Sequence, residues 1–299
     1  MAADLTGQAY AAHERLVAPA RARPEIWRLL AGLALLAVVV FGLNASLLAL
    51  VAGLGSDVWV ETFLSGSTPV AMLVLLGSFG FVILGVALAA RQMQRRMLQS
   101  IVGPYRETLA QFWQVLRVLL VLGAVILALP PYDMGAPLKP NLAPLVWLAI
   151  LPFSLMAILI QTSAEEILFR GYLQQCLAAR FRSPVIWMGL PSVLFALGHY
   201  VPAQAGENAF LIALWSGTFG LLMADLTARA GTLGPAIALH FFNNLIALLF
   251  IALPGSLDGL ALFLLPYEMS DTGHLRAWLV VDFALMLVAW LTARIALRR

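Results

Sequence analysis

Long apolar runs alternate with short polar connections along this chain, and within each run the apolar positions are continuous instead of alternating. Runs at 29–54, 62–90, 140–164 and 231–257 contain no Asp, Glu, Lys or Arg. Each meets or exceeds the roughly 20 residues that carry a helix across a hydrocarbon core. Continuity predicts helices, since the strands of a membrane barrel would alternate apolar and polar residues. Spans are expected at 29–54, 69–90, 114–132, 142–164, 185–200, 208–228, 234–253 and 275–296. The predicted fold class is therefore all-α, a polytopic membrane bundle of about eight transmembrane helices.

Four segments organise this bundle: 1–28, an N-terminal cytoplasmic segment; 29–139, the first membrane helices; 140–253, a core; and 254–299, an exterior loop with a last helix. Polar and apolar residues mix at helical spacing over 105–117, which predicts a helix lying at the membrane surface before the third span. Ser216, Gly220 and Ala224 fall four apart and form a small-residue face that lets a neighbour approach closely. Pro191 is expected to kink the fifth span.

Composition agrees with the pattern. Of 299 residues, 62% are hydrophobic and 11% charged, with a mean hydropathy of +0.92, against roughly 25% charged residues in soluble domains. Arginine sets the orientation. Arg15, Arg21, Arg23 and Arg28 precede the first span, Arg91, Arg95, Arg96 and Arg106 follow the second, Arg180 and Arg182 the fourth, and Arg229 the sixth; Arg294, Arg298 and Arg299 end the chain. The alternate connections carry Asp57 and Glu61, then Asp133 with the single lysine Lys139, then Glu207, then Asp258, Glu268 and Asp271 beside Arg276. Positive charge concentrates on cytoplasmic loops, so both termini are expected in the cytoplasm. Residues 1–28 are mixed polar, and no cleavable leader is expected there.

The net charge of +3 and a pI near 9.3 follow from this one-sided arginine and point to anionic lipid headgroups. No motif supports a nucleic-acid partner. A composition rich in Ala, Leu and Arg with one Lys is of a bacterial type, which places the chain in a bacterial inner membrane. The lone Cys176 excludes an intrachain disulfide.

Chemistry enters with ionisable groups at membrane depth, which mark function until shown otherwise. Glu165 and Glu166 end an apolar run, and Arg170 lies four residues past Glu166, the favourable order for an ion pair on a helix. Glu165 points about 100° away and is left for general-base work. Alone, the hexapeptide is equally a helix cap with a surface salt bridge. His199 ends the fifth apolar segment after Phe195, and His240 shares a helix face with Asn244 early in the seventh; Asn243 is the competing partner. Glu165 lies 18 residues before Ser183 and His199 lies 16 after it, so the two come level in an antiparallel hairpin. A carboxylate and two imidazoles meeting in an apolar bundle can hold and activate water.

In order along the chain, Glu165-Glu166-xxx-Arg170, Phe195-xxx-His199 and His240-xxx-Asn244 resemble the CPBP family of intramembrane proteases, which includes CAAX prenyl endoproteases and bacterial relatives linked to bacteriocin self-immunity. The resemblance covers about 140–250. It implies an eight-helix bundle that hydrolyses a peptide bond of a membrane-associated or lipid-modified protein or peptide, at a site reached from the cytoplasm. Carried over, Glu165 would be the base that activates water, and His199 would help to hold that water. His240 and Asn244 would stabilise the oxyanion, and Glu166 with Arg170 would shape the site. The family is often described as metalloproteases, and Glu165, His199 and His240 are a candidate zinc set. No HExxH is present, and metal-free activation by Glu165 is the preferred alternative. A scaffold or immunity protein that keeps the motifs without turnover stands as a further alternative. A transporter using Glu and His as a relay is another, weakened by the lack of inverted repeats.

Overall fold

The computed structural model describes residues 9–129 and 137–298. Asp133, Arg299 and the end of the third expected span lie outside the described residues. Among the described residues eight apolar helices, numbered α1–α8, make up the bundle: α1 (Ile26–Leu54), α2 (Pro69–Gln94), α3 (Tyr105–Ala128), α4 (Pro144–Arg180), α5 (Pro184–Gly198), α6 (Ala209–Ala230), α7 (Gly234–Phe250) and α8 (Thr272–Leu297). Six apolar stretches, all but α5 and α7, are long and apolar enough to cross a membrane. Outside the helices there is a small sheet of two-residue strands, 139–140, 251–252 and 263–264, with 263–264 in the middle. The fold is thus an all-α polytopic membrane bundle.

Local chemistry sets the helix ends. Proline stands in the first turn of α2, α4, α5 and α7, where its missing N–H leaves no bond unmade. The Asp271 carboxylate accepts from the His274 N–H and caps α8. Gly231 ends α6 at φ +70, and a Cβ there would lie 2.6 Å from the Ala12 carbonyl oxygen, so both the turn and the packing require glycine.

One expectation about helix extent is corrected and another is met. Residues 105–117 do not form a separate surface helix; they are the first turns of the 24-residue α3, because nothing between Tyr105 and Ala128 breaks the hydrogen-bond ladder. The fourth helix runs to Arg180 through a π-helical segment, and the next begins at Pro184, so the turn falls near Ser183 as the hairpin reading required.

The bundle is built around α7. Every residue from Gly234 to Phe242 is buried, and α7 packs against α3, α4 and α6. Leu119 of α3, Ile158 of α4, Phe219 and Met223 of α6 and Leu239 of α7 share one apolar core. The small-residue face of α6 does what its spacing implied: a Cβ on Gly220 would sit 3.1 Å from Ser192, and one on Gly217 3.2 Å from Ala196, so α5 and α6 pack backbone to backbone. In contrast, α1 buries only Leu29, Gly32 and Val51 and leaves Val38, Phe41 and Leu54 exposed, the pattern of a helix facing lipid.

Residues 11–20, ahead of α1, pack against the bundle. They form short helical turns that bury His13, Leu16, Val17 and Ala20. They dock on the arginine-rich end of the bundle. The Tyr10 hydroxyl donates to Asp225 at 2.8 Å, the His13 ring lies 4.8 Å from that of Trp187, and Arg96 Nη2 donates to the Leu16 carbonyl at 3.2 Å.

Candidate active site

α4 carries the glutamate pair at a change of helix type. The helix is α up to Glu166, π from Ile167 to Leu173, and α again from Gln174. A π segment widens the turn locally, and such segments are frequent at functional sites. Glu166 is fully buried, and Arg170 Nη1 donates to its Oε1 at 3.1 Å, as the four-residue spacing implied. The pairing goes further than the sequence suggested. His240 Nδ1, from α7, lies 2.7 Å from the same Glu166 oxygen, and His240 Nε2 lies 3.5 Å from Glu165 Oε2. A carboxylate only accepts, so the Glu166 contact places a proton on His240 Nδ1 and turns Nε2 toward Glu165.

Phe195 explains why an aromatic precedes His199 by one turn. Its buried ring lies 4.4 Å from the His199 ring and 6.2 Å from the His240 ring, and the Arg170 guanidinium sits 4.7 Å above it. Phe219 closes on His240 from α6 at 5.0 Å. The ionised cluster is therefore walled by aromatic faces that keep it in a low-dielectric setting and orient both imidazoles.

Glu165 faces the other way, as expected. It and His199 both line a cavity of about 180 Å³, together with Phe79, Val82, Leu168 and Phe169; the two polar residues come level, as their distances from Ser183 required. His199 Nδ1 donates to the Phe195 carbonyl at 2.9 Å, which fixes the ring and leaves Nε2 as its other polar atom. Glu165 Oε2, Glu166 Oε2 and Arg170 Nη2 are buried with no hydrogen-bond partner. Leaving a buried polar atom unpaired costs about 1–3 kcal/mol, and of these three residues Glu165 is the one that lines the cavity.

Asn244 is close by but differently engaged. Its amide donates to Gln161 Oε1 at 2.8 Å, and Asn243 donates to Asn244 Oδ1 at 3.2 Å; its bonds run to these two amides and not to His240. Gln161 is a residue that sequence reasoning missed. It is buried, and it lies one helical turn before Glu165, which was the available signal: an amide in an otherwise apolar run on the face of the first glutamate.

Among the described residues no group of three His, Cys, Asp or Glu side chains is arranged to hold a metal ion.

Residues 146–246 match the family model described as Type II CAAX prenyl endopeptidase Rce1-like. All seven residues of the three motifs, from Glu165 to Asn244, fall within the match, and the resemblance read from them holds for this segment. The match is confined to 146–246, and with the apolar helices on either side of it the chain reads as an integral membrane protein. The chain is also 26% identical over 188 residues to the uncharacterized protein YyaK of Bacillus subtilis (strain 168), a match that spans 60% of either chain. No solved structure matches.

Proposed function

We propose that this protein is an intramembrane endopeptidase that hydrolyses a peptide bond of a membrane-associated or lipid-modified protein or peptide by metal-free activation of water. The observation that carries this is the placement of Glu165: its carboxylate lines a cavity within an apolar bundle, opposite His199 and against a His240 that is itself anchored on Glu166. Glu165 takes a proton from a water held between it and His199 while the oxygen attacks the peptide carbonyl carbon. The C=O electron pair moves onto oxygen, and that oxyanion accepts from Asn244 and from the Nε2–H of a doubly protonated His240 whose Nδ1–H is held by Glu166. Glu165 then returns the proton to the leaving nitrogen as the C–N bond breaks. Each donor aimed at a developing oxyanion is worth roughly 100-fold or more in rate.

Glu166 and Arg170 act through His240. The carboxylate accepts from both, so Arg170 holds Glu166 and Glu166 holds the imidazole. The site opens toward the cytoplasm of a bacterial cell, with both termini on that side, in keeping with the arginine asymmetry. Membrane lipids surround the bundle. The chelation arm is direct: stringently chelated protein retains its turnover under this account, and loss of activity that zinc restores would replace it with a metal mechanism. Substrate trapping tests the function itself. Glu165→Gln protein isolated from host membranes retains an intact partner that the wild type cuts; if the wild type cuts nothing that the variant retains, a silent scaffold or immunity role becomes the better account.

A further inference from the structure

A second cavity lies at the arginine-rich end of the bundle, between the docked N-terminal segment and the turn that follows α2. It has a volume of about 430 Å³, and Arg15, Arg95, Arg96, Gln99 and Ser100 line it. No acidic side chain does. Arg15 is neutralised by Glu107, but neither Arg95 nor Arg96 has an ion-pair partner among the described residues.

Arg96 is the unusual member, because its side chain is only 4% exposed. Its Nη2 donates to the Leu16 and Ser100 carbonyls and to Gln175 Oε1, and its Nε donates to Ser100 Oγ. These partners are all neutral. Its Nη1 is buried and has no partner. The titratable side chains that act on it are Cys176, with which it also shares a side-chain hydrogen bond, and Tyr172, a thiol and a phenol that ordinarily carry no charge at pH 7. A guanidinium withdrawn from water without a counter-charge is costly, and the cost falls when an anion supplies the missing acceptor. Arg95 adds a second cation at the mouth, held at φ +55 by the turn that closes α2.

We propose that this cavity binds a phosphate group, borne by an anionic phospholipid headgroup or free in solution. Arginine is the side chain suited to phosphate because its planar fork gives paired N–H donors along with charge. Basic pockets at the arginine-rich end of membrane helices are placed where lipid phosphates lie. Since the same pocket is walled by Leu16 and Pro19 of the N-terminal segment, a bound phosphate would tie that segment to the turn after α2. None of these residues belongs to the candidate active site.

The test uses the full chain, delipidated in neutral detergent, with phosphatidylglycerol, phosphatidylcholine and inorganic phosphate as separate probes in native mass spectrometry and thermal unfolding. One saturable equivalent of phosphatidylglycerol is expected, weakened roughly tenfold or more by Arg95→Gln, an exposed position whose change leaves the fold intact. Arg96→Lys keeps the charge, loses the fork and is expected to weaken binding as well. If millimolar phosphate displaces the lipid, or protects the wild type alone, the ligand is the free ion; if phosphatidylglycerol binds undisturbed by phosphate and phosphatidylcholine does not bind, it is the lipid. Equal binding of every probe by the wild type and Arg95→Gln, or no saturable binding of any, would overturn the proposal.

Discussion

His240 Nδ1 lies 2.7 Å from Glu166 Oε1, so the seventh helix is bonded to the fourth through a buried carboxylate that Arg170 also engages. An imidazole tied in this way has one nitrogen committed. Only Nε2 remains to work with Glu165, and the division of labour between two adjacent glutamates follows from this contact.

The first prediction concerns stability. Arg170→Ala leaves Glu166 buried with one donor fewer, and breaking a buried pair from one side costs about 3–5 kcal/mol. Glu166→Gln weakens the hold on both Arg170 and His240 and loses stability in the same direction. Thermal unfolding in detergent should show both variants well below the wild type, with Glu165→Gln close to it. A wild-type melting temperature for Arg170→Ala would mean that the pair does not hold α4.

A second prediction separates Asn244 from the residue that positions it. Asn244→Ala should lower turnover by roughly 100-fold or more with little change in KM, the mark of a contact made in the transition state. Gln161→Leu removes the acceptor of the Asn244 amide and should lower kcat less, while Gln161→Glu keeps an acceptor and should restore part of the loss. Equal defects in Gln161→Leu and Gln161→Glu would show that Gln161 fills space and does not orient Asn244.

The docking of the N-terminal segment should be acid-sensitive. Burial pushes the His13 imidazole down to about 4 from its ordinary 6.5. Between those values the undocked histidine binds a proton and the docked one does not, so the contribution of docking is complete above about pH 6.5 and shrinks as the pH falls toward 4. Amide exchange over 11–20 should therefore be faster at pH 4.5 than at pH 7.5 after correction for intrinsic rates, and His13→Phe should flatten the difference. An unchanged pH dependence in His13→Phe would assign it to other groups.

Eight helices were legible because continuous apolar runs leave few alternatives to membrane helices, and the Glu166–Arg170 pair was legible because four-residue spacing fixes it locally. The π segment was not, since Ile167–Leu173 reads as ordinary helix and only the packing of Arg170 inside the bundle reveals the change. Nor was the contact between His240 and Glu166, which joins residues 74 apart in sequence. Gln161 escaped notice because one amide in an apolar run is common. The docked turns before α1 were hidden in a segment whose mixed polarity shows no period, yet it buries Leu16 and Val17 against the bundle.

Orientation gives a fourth prediction. Reporter fusions after Arg96, Arg182 and Arg229 should register in the cytoplasm, and fusions after Glu61, Lys139 and Asp271 outside it. The reverse pattern would open the site to the other face and remove cytoplasmic substrates from consideration.

The central claim is that Glu165 activates water for peptide hydrolysis within the membrane, and comparison of protein N-termini is its most direct measurement. Membranes from cells carrying the wild-type chain and from cells carrying Glu165→Gln at equal abundance should differ by new internal N-termini present only with the wild type. The same new termini in both, from a folded and equally abundant Glu165→Gln protein, would contradict the account.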